Sequence, residues 1–146
     1  MSSYAANAYR TRSISGASPA LQVAMLLETC VKHMTEAQTA IVLDDMEGRF
    51  AATEKAQTII TGLQSCLNDT DPDAKAMAEV FDNFYTNMTM LIMRVNLKND
   101  GDACDVIIKG IKQMADTWRQ IASQGAPQPA GQGAPPPTRS SLTVSA

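Results

Sequence analysis

An all-α fold, an antiparallel up-down bundle of four helices, is what this chain of 146 residues predicts, on three observations. Helix-start signals recur four times, while the alternating pattern of a half-buried strand never appears. Each interval between those signals carries one apolar stripe of helical period. The connections are short, which forces successive long helices to lie antiparallel.

The first helix is announced by Ser18-Pro19, a capping hydroxyl followed by a proline whose missing N–H costs nothing at the first helical position. Its core stripe runs through Val23, Leu27, Cys30, Met34, Ala37 and Ile41, in steps of three and four. Asp44-Asp45 marks the second start, and Ala52, Ala56, Ile59, Ile60, Leu63 and Leu67 make its apolar face. Asp71-Pro72-Asp73 repeats the cap-plus-proline signal, and Met77, Phe81, Phe84, Met88, Leu91 and Val95 follow as the third stripe. Asp100-Gly101-Asp102 opens the fourth, whose stripe is Ile107, Ile111, Met114, Trp118 and Ile121. Trp118 is read as core.

Two segments flank the bundle at 18–124. Residues 1–17 read as an N-terminal arm capping it: Tyr4, Tyr9 and Ile14 are too sparse for a stripe, so their order must come from lying on another surface, as a cover for an apolar face or a mimic of the partner that uses it. Residues 125–146 hold five of the seven prolines, three glycines and one charged side chain, Arg139. That composition buries too little apolar area to offset ordering entropy and reads as a disordered tail.

Composition narrows the function. The chain is 45% hydrophobic and 18% charged with net charge -3, and its pI near 5.0 argues against nucleic acid, whose partners carry basic patches. No apolar run is long enough to enter a membrane. The start, Met-Ser-Ser-Tyr, has neither the basic region nor the apolar core of a secretory signal, so a cytoplasmic location is expected. Three scattered cysteines suit reduced thiols: Cys30 and Cys66 on or beside core stripes, Cys104 partly exposed.

Catalysis finds no support. The single histidine, His33, is expected at the surface without a carboxylate at ligand spacing, so no metal site or triad is assembled. Asp44, Asp45 and Glu47 stand at a helix start, where the dipole favours them. No glycine-rich phosphate loop occurs. The chain is read as no enzyme, with no cofactor and no metal.

The third helix breaks the single-stripe rule. With Met77 at zero on the helical wheel, Met90, Met93 and Leu97 fall at about 160° to 220°, opposite the core stripe. Methionine adapts to varied partner shapes, so this second apolar face is a candidate partner surface. Leu21 and Met25 likewise sit away from the first stripe.

Asn7-Ala8-Tyr9, Ala17-Ser18-Pro19 and Ala24-Met25-Leu26 resemble the opening of the FliS family, the flagellin-specific export chaperones. Asp45-Met46-Glu47, Lys55-Ala56-Gln57 with Ile59-Ile60, and Asn96-Leu97-Lys98-Asn99-Asp100 with Trp118 beyond are similar to further family signatures in the same order. The resemblance spans about residues 4 to 121 and implies a cytoplasmic four-helix chaperone. Such a chaperone binds the disordered C-terminal segment of flagellin, prevents premature polymerisation and delivers it to the flagellar type III export gate. It also implies that the arm caps part of the binding surface, which makes Tyr4, Tyr9, Ile14, Leu21, Met25, Met90, Met93 and Leu97 the candidate partner-binding set. Thr89-Met90-Leu91-Ile92 stands where the family is often arginine-rich, implying a more apolar surface. A monomer or weak homodimer is expected; the competing reading is an oligomeric regulatory or structural bundle without a flagellin client.

Overall fold

The computed structural model describes residues 18–67 and 72–125. They form four helices and no strand: α1 (Pro19–Val42), α2 (Met46–Ser65), α3 (Pro72–Lys98) and α4 (Gly101–Gly125). All four begin where the sequence signals place them. The Ser18 hydroxyl accepts from the Leu21 N–H at 3.1 Å, as an N-cap should. The arm, the Asp71 cap and the tail lie outside the described residues.

Two corners of the bundle use the same device. At the end of α1, Asp44 takes left-handed backbone (φ 57°), and the Asp45 N–H bonds back to the Ala40 carbonyl at 2.8 Å. That satisfies carbonyls a helix end would leave orphaned. The Asp45 carboxylate then accepts from the Gly48 N–H at 2.9 Å and caps α2. At the end of α3, Asn99 is left-handed (φ 53°), and Asp100 accepts from the Ala103 N–H at 3.1 Å to cap α4. One residue turns the chain and the next starts the new helix.

Each helix packs against its sequence neighbours, and α4 returns along α1 to close the ring. The α1 seams with α2 and α4 are the closest. Small buried residues allow this: Ala24, Cys30, Ala37 and Ala40 on α1 meet a bundle interior that also holds Ala52, Ala56, Ala103, Cys104 and Ala115. Helix α3 stands farther off, its larger Tyr85, Met88 and Ile92 filling the space. Near its start, Phe81 and Trp118 pack ring to ring at 5.3 Å, and both lie against the core as expected.

The stripes on α1 and α2 are largely as read, but α3 is turned. Its buried residues are Ala78, Tyr85, Met88, Ile92 and Val95, a face rotated by about 50° from the predicted stripe. Phe84 and Leu91 therefore lie at the edge of the interior, and Met77 is exposed rather than core. Ile121 is exposed too. Both sit in outer turns of their helices, where a stripe outruns the neighbours that would bury it. Cys66 corrects the expectation in one direction and Cys104 in the other. Cys66 is exposed, because it caps α2 beyond its last packed turn; Cys104 is fully buried, because the start of α4 packs on α1. His33 is half-buried rather than a plain surface residue, and Glu36, one turn on, meets its Nδ1 at 2.9 Å.

Candidate functional site

The α2–α3 seam is held by polar side chains. Down one edge of α2 stand Arg49, Thr53, Gln57 and Gln64; facing them on α3 are Asn96, Thr89, Thr86 and Asp82, with Asn99 just past the helix end. Gln64 donates to Asp82 at 2.7 Å and to Thr86 at 3.0 Å. Gln57 donates to Thr89 at 2.9 Å, and the Asn96 amide donates to Thr53 at 3.0 Å. These bonds set the register of α3 against α2.

Arg49 closes the ladder. It is buried, 6% exposed, and makes no ion pair with a carboxylate among the described residues, an arrangement that costs stability unless the charge finds other compensation. Its guanidinium donates to the Asn99 side-chain carbonyl and to the Asn96 backbone carbonyl at 3.3 Å. The Asn96 carbonyl belongs to the last turn of α3, where the helix dipole is negative, and the charge is stabilised there. Arg49 also lies over the Phe50 ring, 4.7 Å from its centroid.

Met93 continues the ladder edge of α3, in steps of three and four from Asp82, and Met90 and Leu97 lie just outside it. They are 56%, 61% and 78% exposed, one apolar stripe on the outer half of α3. Phe50, half exposed on the matching edge of α2, stands at the same end of the seam. Met90, Met93 and Leu97 thus share one face of α3, and Phe50 stands across the seam at its Leu97 end.

Leu21 and Met25 do not join them. Both are partly buried in the first turns of α1, at the end of the bundle where Arg119 of α4 grips Glu28 with bonds of 2.5 and 2.8 Å. Since α1 and α3 run the same way, about 10 to 30 Å of bundle separates them from the α3 stripe along the axis. A partner touching both must be elongated. Tyr4, Tyr9 and Ile14 lie outside the described residues.

The polar groups here are structural in character. The hydrogen bond from Arg119 holds the Glu28 carboxyl below the usual range, and that from Arg94 does the same for Asp100. Burial pushes the Cys30 thiol up to about 12 and that of Cys104 up to about 11, so neither is a ready nucleophile. No group of three or more metal-ligating side chains converges among the described residues. None of the described helices is long and apolar enough to cross a membrane. What this surface offers is exposed apolar area along an ordered helix.

The stripe on α3 was legible in the sequence; its border was not. Arg49 and the glutamines become partners only once α2 and α3 adopt their register, and nothing local in the sequence announces that pairing.

Comparison with known proteins agrees with this architecture. The signature of the family described as Flagellar protein FliS matches residues 1–125. The chain is 30% identical to the Flagellar secretion chaperone FliS of Bacillus subtilis over 113 residues, 77% of this chain and 82% of that protein. It is 30% identical to the protein of the same name from Vibrio cholerae over 108 residues, 74% of this chain and 78% of that one. The Campylobacter jejuni protein of that name is 26% identical over 115 residues, 79% of this chain and 88% of its own. With a family signature across nearly all of its length and relatives aligned over most of theirs, this chain belongs to the FliS family of flagellar secretion chaperones.

Proposed function

We propose that this protein is a cytoplasmic export chaperone for flagellin: it binds the disordered C-terminal segment of the subunit, blocks premature polymerisation and hands it to the flagellar type III export apparatus. The observation that carries the reading is the exposed stripe of Met90, Met93 and Leu97, laid along a helix whose register is fixed by the Arg49 and glutamine ladder. A disordered segment that becomes an amphipathic helix on binding needs such a surface, apolar and already ordered. Leu21 and Met25, at the other end of the bundle, extend the contact for a client that wraps around it. Tyr4, Tyr9 and Ile14 of the arm complete the set by covering part of the surface when client is absent. The action is binding, with no covalent step.

Calorimetric titration with a C-terminal flagellin fragment tests this. One-to-one binding with a large negative heat-capacity change is expected, the signature of apolar burial coupled to folding. Met93→Glu places a charge in the stripe and should weaken binding at least about tenfold while leaving helicity unchanged, since Met93 is solvent-exposed. Folded wild-type protein that leaves the fragment unbound would sink the proposal. A wild-type oligomer that Met93→Glu dissociates, with no fragment bound by either form, would favour the oligomeric bundle instead.

A further inference from the structure

The corner between α1 and α2 carries an apolar surface that the client stripe does not use. Val42, Leu43 and Met46 are 80%, 69% and 63% exposed within five consecutive residues. The corner itself holds them out: Asp44 is left-handed and Asp45 is committed to capping α2, so Val42 and Leu43 fall beyond the last packed turn of α1. Beside them a groove of about 400 Å³ lies between the end of α1 and the start of α4, lined by Gln38, Ile41, Val42, Gly101, Asp102 and Asp105.

This end of the bundle is also acidic. Asp44, Asp45, Glu47, Asp102 and Asp105 stand around the corner and the groove, and none makes an ion pair with a described residue. Asp105 accepts only from the neutral Gln38 amide, at 2.7 Å. The positive groups nearby do not balance them: Arg94 is engaged by Asp100 at 2.9 Å, and Arg49 is turned inward and buried. Two exposed cations remain near this end of the described residues, Lys98 and, one turn on from Asp105 along α4, Lys109, against five carboxylates.

We infer that this corner is a second docking surface, which takes a basic amphipathic segment of another protein. Apolar side chains of that segment cover Val42, Leu43 and Met46, and its lysines or arginines meet the surrounding carboxylates. Charge decides the occupant. A second copy of this chain docked corner to corner would set five carboxylates without a counter-ion against five, and an anionic lipid surface is repelled for the same reason. The stripe on α3 is made of other residues, and Arg94 beside it is already engaged by Asp100, so its partner is selected by the apolar face and not by a ring of carboxylates.

The test is a titration of the isotope-labelled full chain, followed by its backbone amide signals, with a synthetic helix of about five turns bearing leucine on one face and lysine on the other. A peptide of the same composition, scrambled so that it has no apolar face, is the control. The amphipathic peptide should shift amides of residues 38–47 and 101–105, and its affinity should drop at least about tenfold between roughly 0.05 and 0.5 M salt. Leu43→Ser with Met46→Ser, and separately Asp44→Asn with Asp102→Asn, should each weaken it about tenfold without loss of helicity. Shifts confined to Met90–Leu97, or equal binding of the scrambled peptide, would overturn the inference. So would corner signals that change with protein concentration alone, which would assign the surface to a second copy. Corner shifts on deleting residues 1–17, with no peptide present, would assign it to the arm and overturn it likewise. Flagellin binding is read through Met93→Glu, which leaves the corner residues intact, so failure of one proposal is distinguishable from failure of the other.

Discussion

At the scale of the residue, Arg49 is the side chain whose loss this structure feels most clearly. It is a buried cation whose compensation comes from two carbonyl oxygens and the end of a helix, with its Nε atom left without a hydrogen-bond partner. Arg49→Met keeps most of the packed stem and removes both bonds. Hydrogen bonds from charged groups contribute about 1.5 to 3 kcal/mol, and the orphaned Nε offsets part of that, so a loss of about 1 to 2 kcal/mol is expected in urea unfolding. An unchanged midpoint would mean that the guanidinium contributes nothing net. The cysteines give a second residue-scale expectation. In native protein a thiol reagent should modify Cys66 alone; Cys30 and Cys104 are buried with raised pKa values and should react only after unfolding, even at pH 9. Rapid labelling of Cys104 would show that the start of α4 opens.

At the scale of the element, the two corners show why helix starts were readable from the sequence and helix faces less so. A cap is local: Ser18, Asp45 and Asp100 act on N–H groups three residues away, so the sequence alone discloses them. The phase of a helix depends on where its neighbours stand. On α3, Tyr85 and Ile92 are buried while Met77 is not, because α3 faces the gap between α2 and α4 and the outer turn at Met77 escapes burial. Alternation of apolar residues cannot fix a rotation of about 50° when Phe84 and Tyr85, or Leu91 and Ile92, are adjacent choices. Asn99 shows the same split. Its left-handed backbone is the position where glycine is normally best, and a purely local reading predicts that Asn99→Gly is neutral or stabilising. The structure predicts the reverse, since the Asn99 side chain accepts from Arg49 and glycine cannot. The substitution should cost about 1 kcal/mol in wild type and close to nothing in an Arg49→Met background. Equal costs in the two backgrounds would show that the bond carries no weight.

At the scale of the whole molecule, the four helices are not equally attached. Helix α1 is gripped on two sides by close seams of alanine and cysteine, and an ion pair from Glu28 to Arg119 adds a tie to α4. Helix α3 carries the exposed stripe and meets both neighbours at longer range, through larger side chains on the α4 side and the hydrogen-bonded ladder on the α2 side. Close packing gives dispersion contacts that a looser seam forgoes, so opening α3 costs less than opening α1. Native-state hydrogen exchange should therefore find two levels of protection: amides on the buried side of α1 exchanging only through global unfolding, and those of α3 through a lesser opening. A chaperone needs its client surface ordered enough to bind and soft enough to fit, and the loosest helix is the one that bears Met90, Met93 and Leu97. Adding the C-terminal flagellin fragment should then raise protection in α3 well above any change in α1. If α1 and α3 exchange with the same free energy, and denaturant moves both alike, the bundle opens as one unit and the softness assigned to α3 is absent.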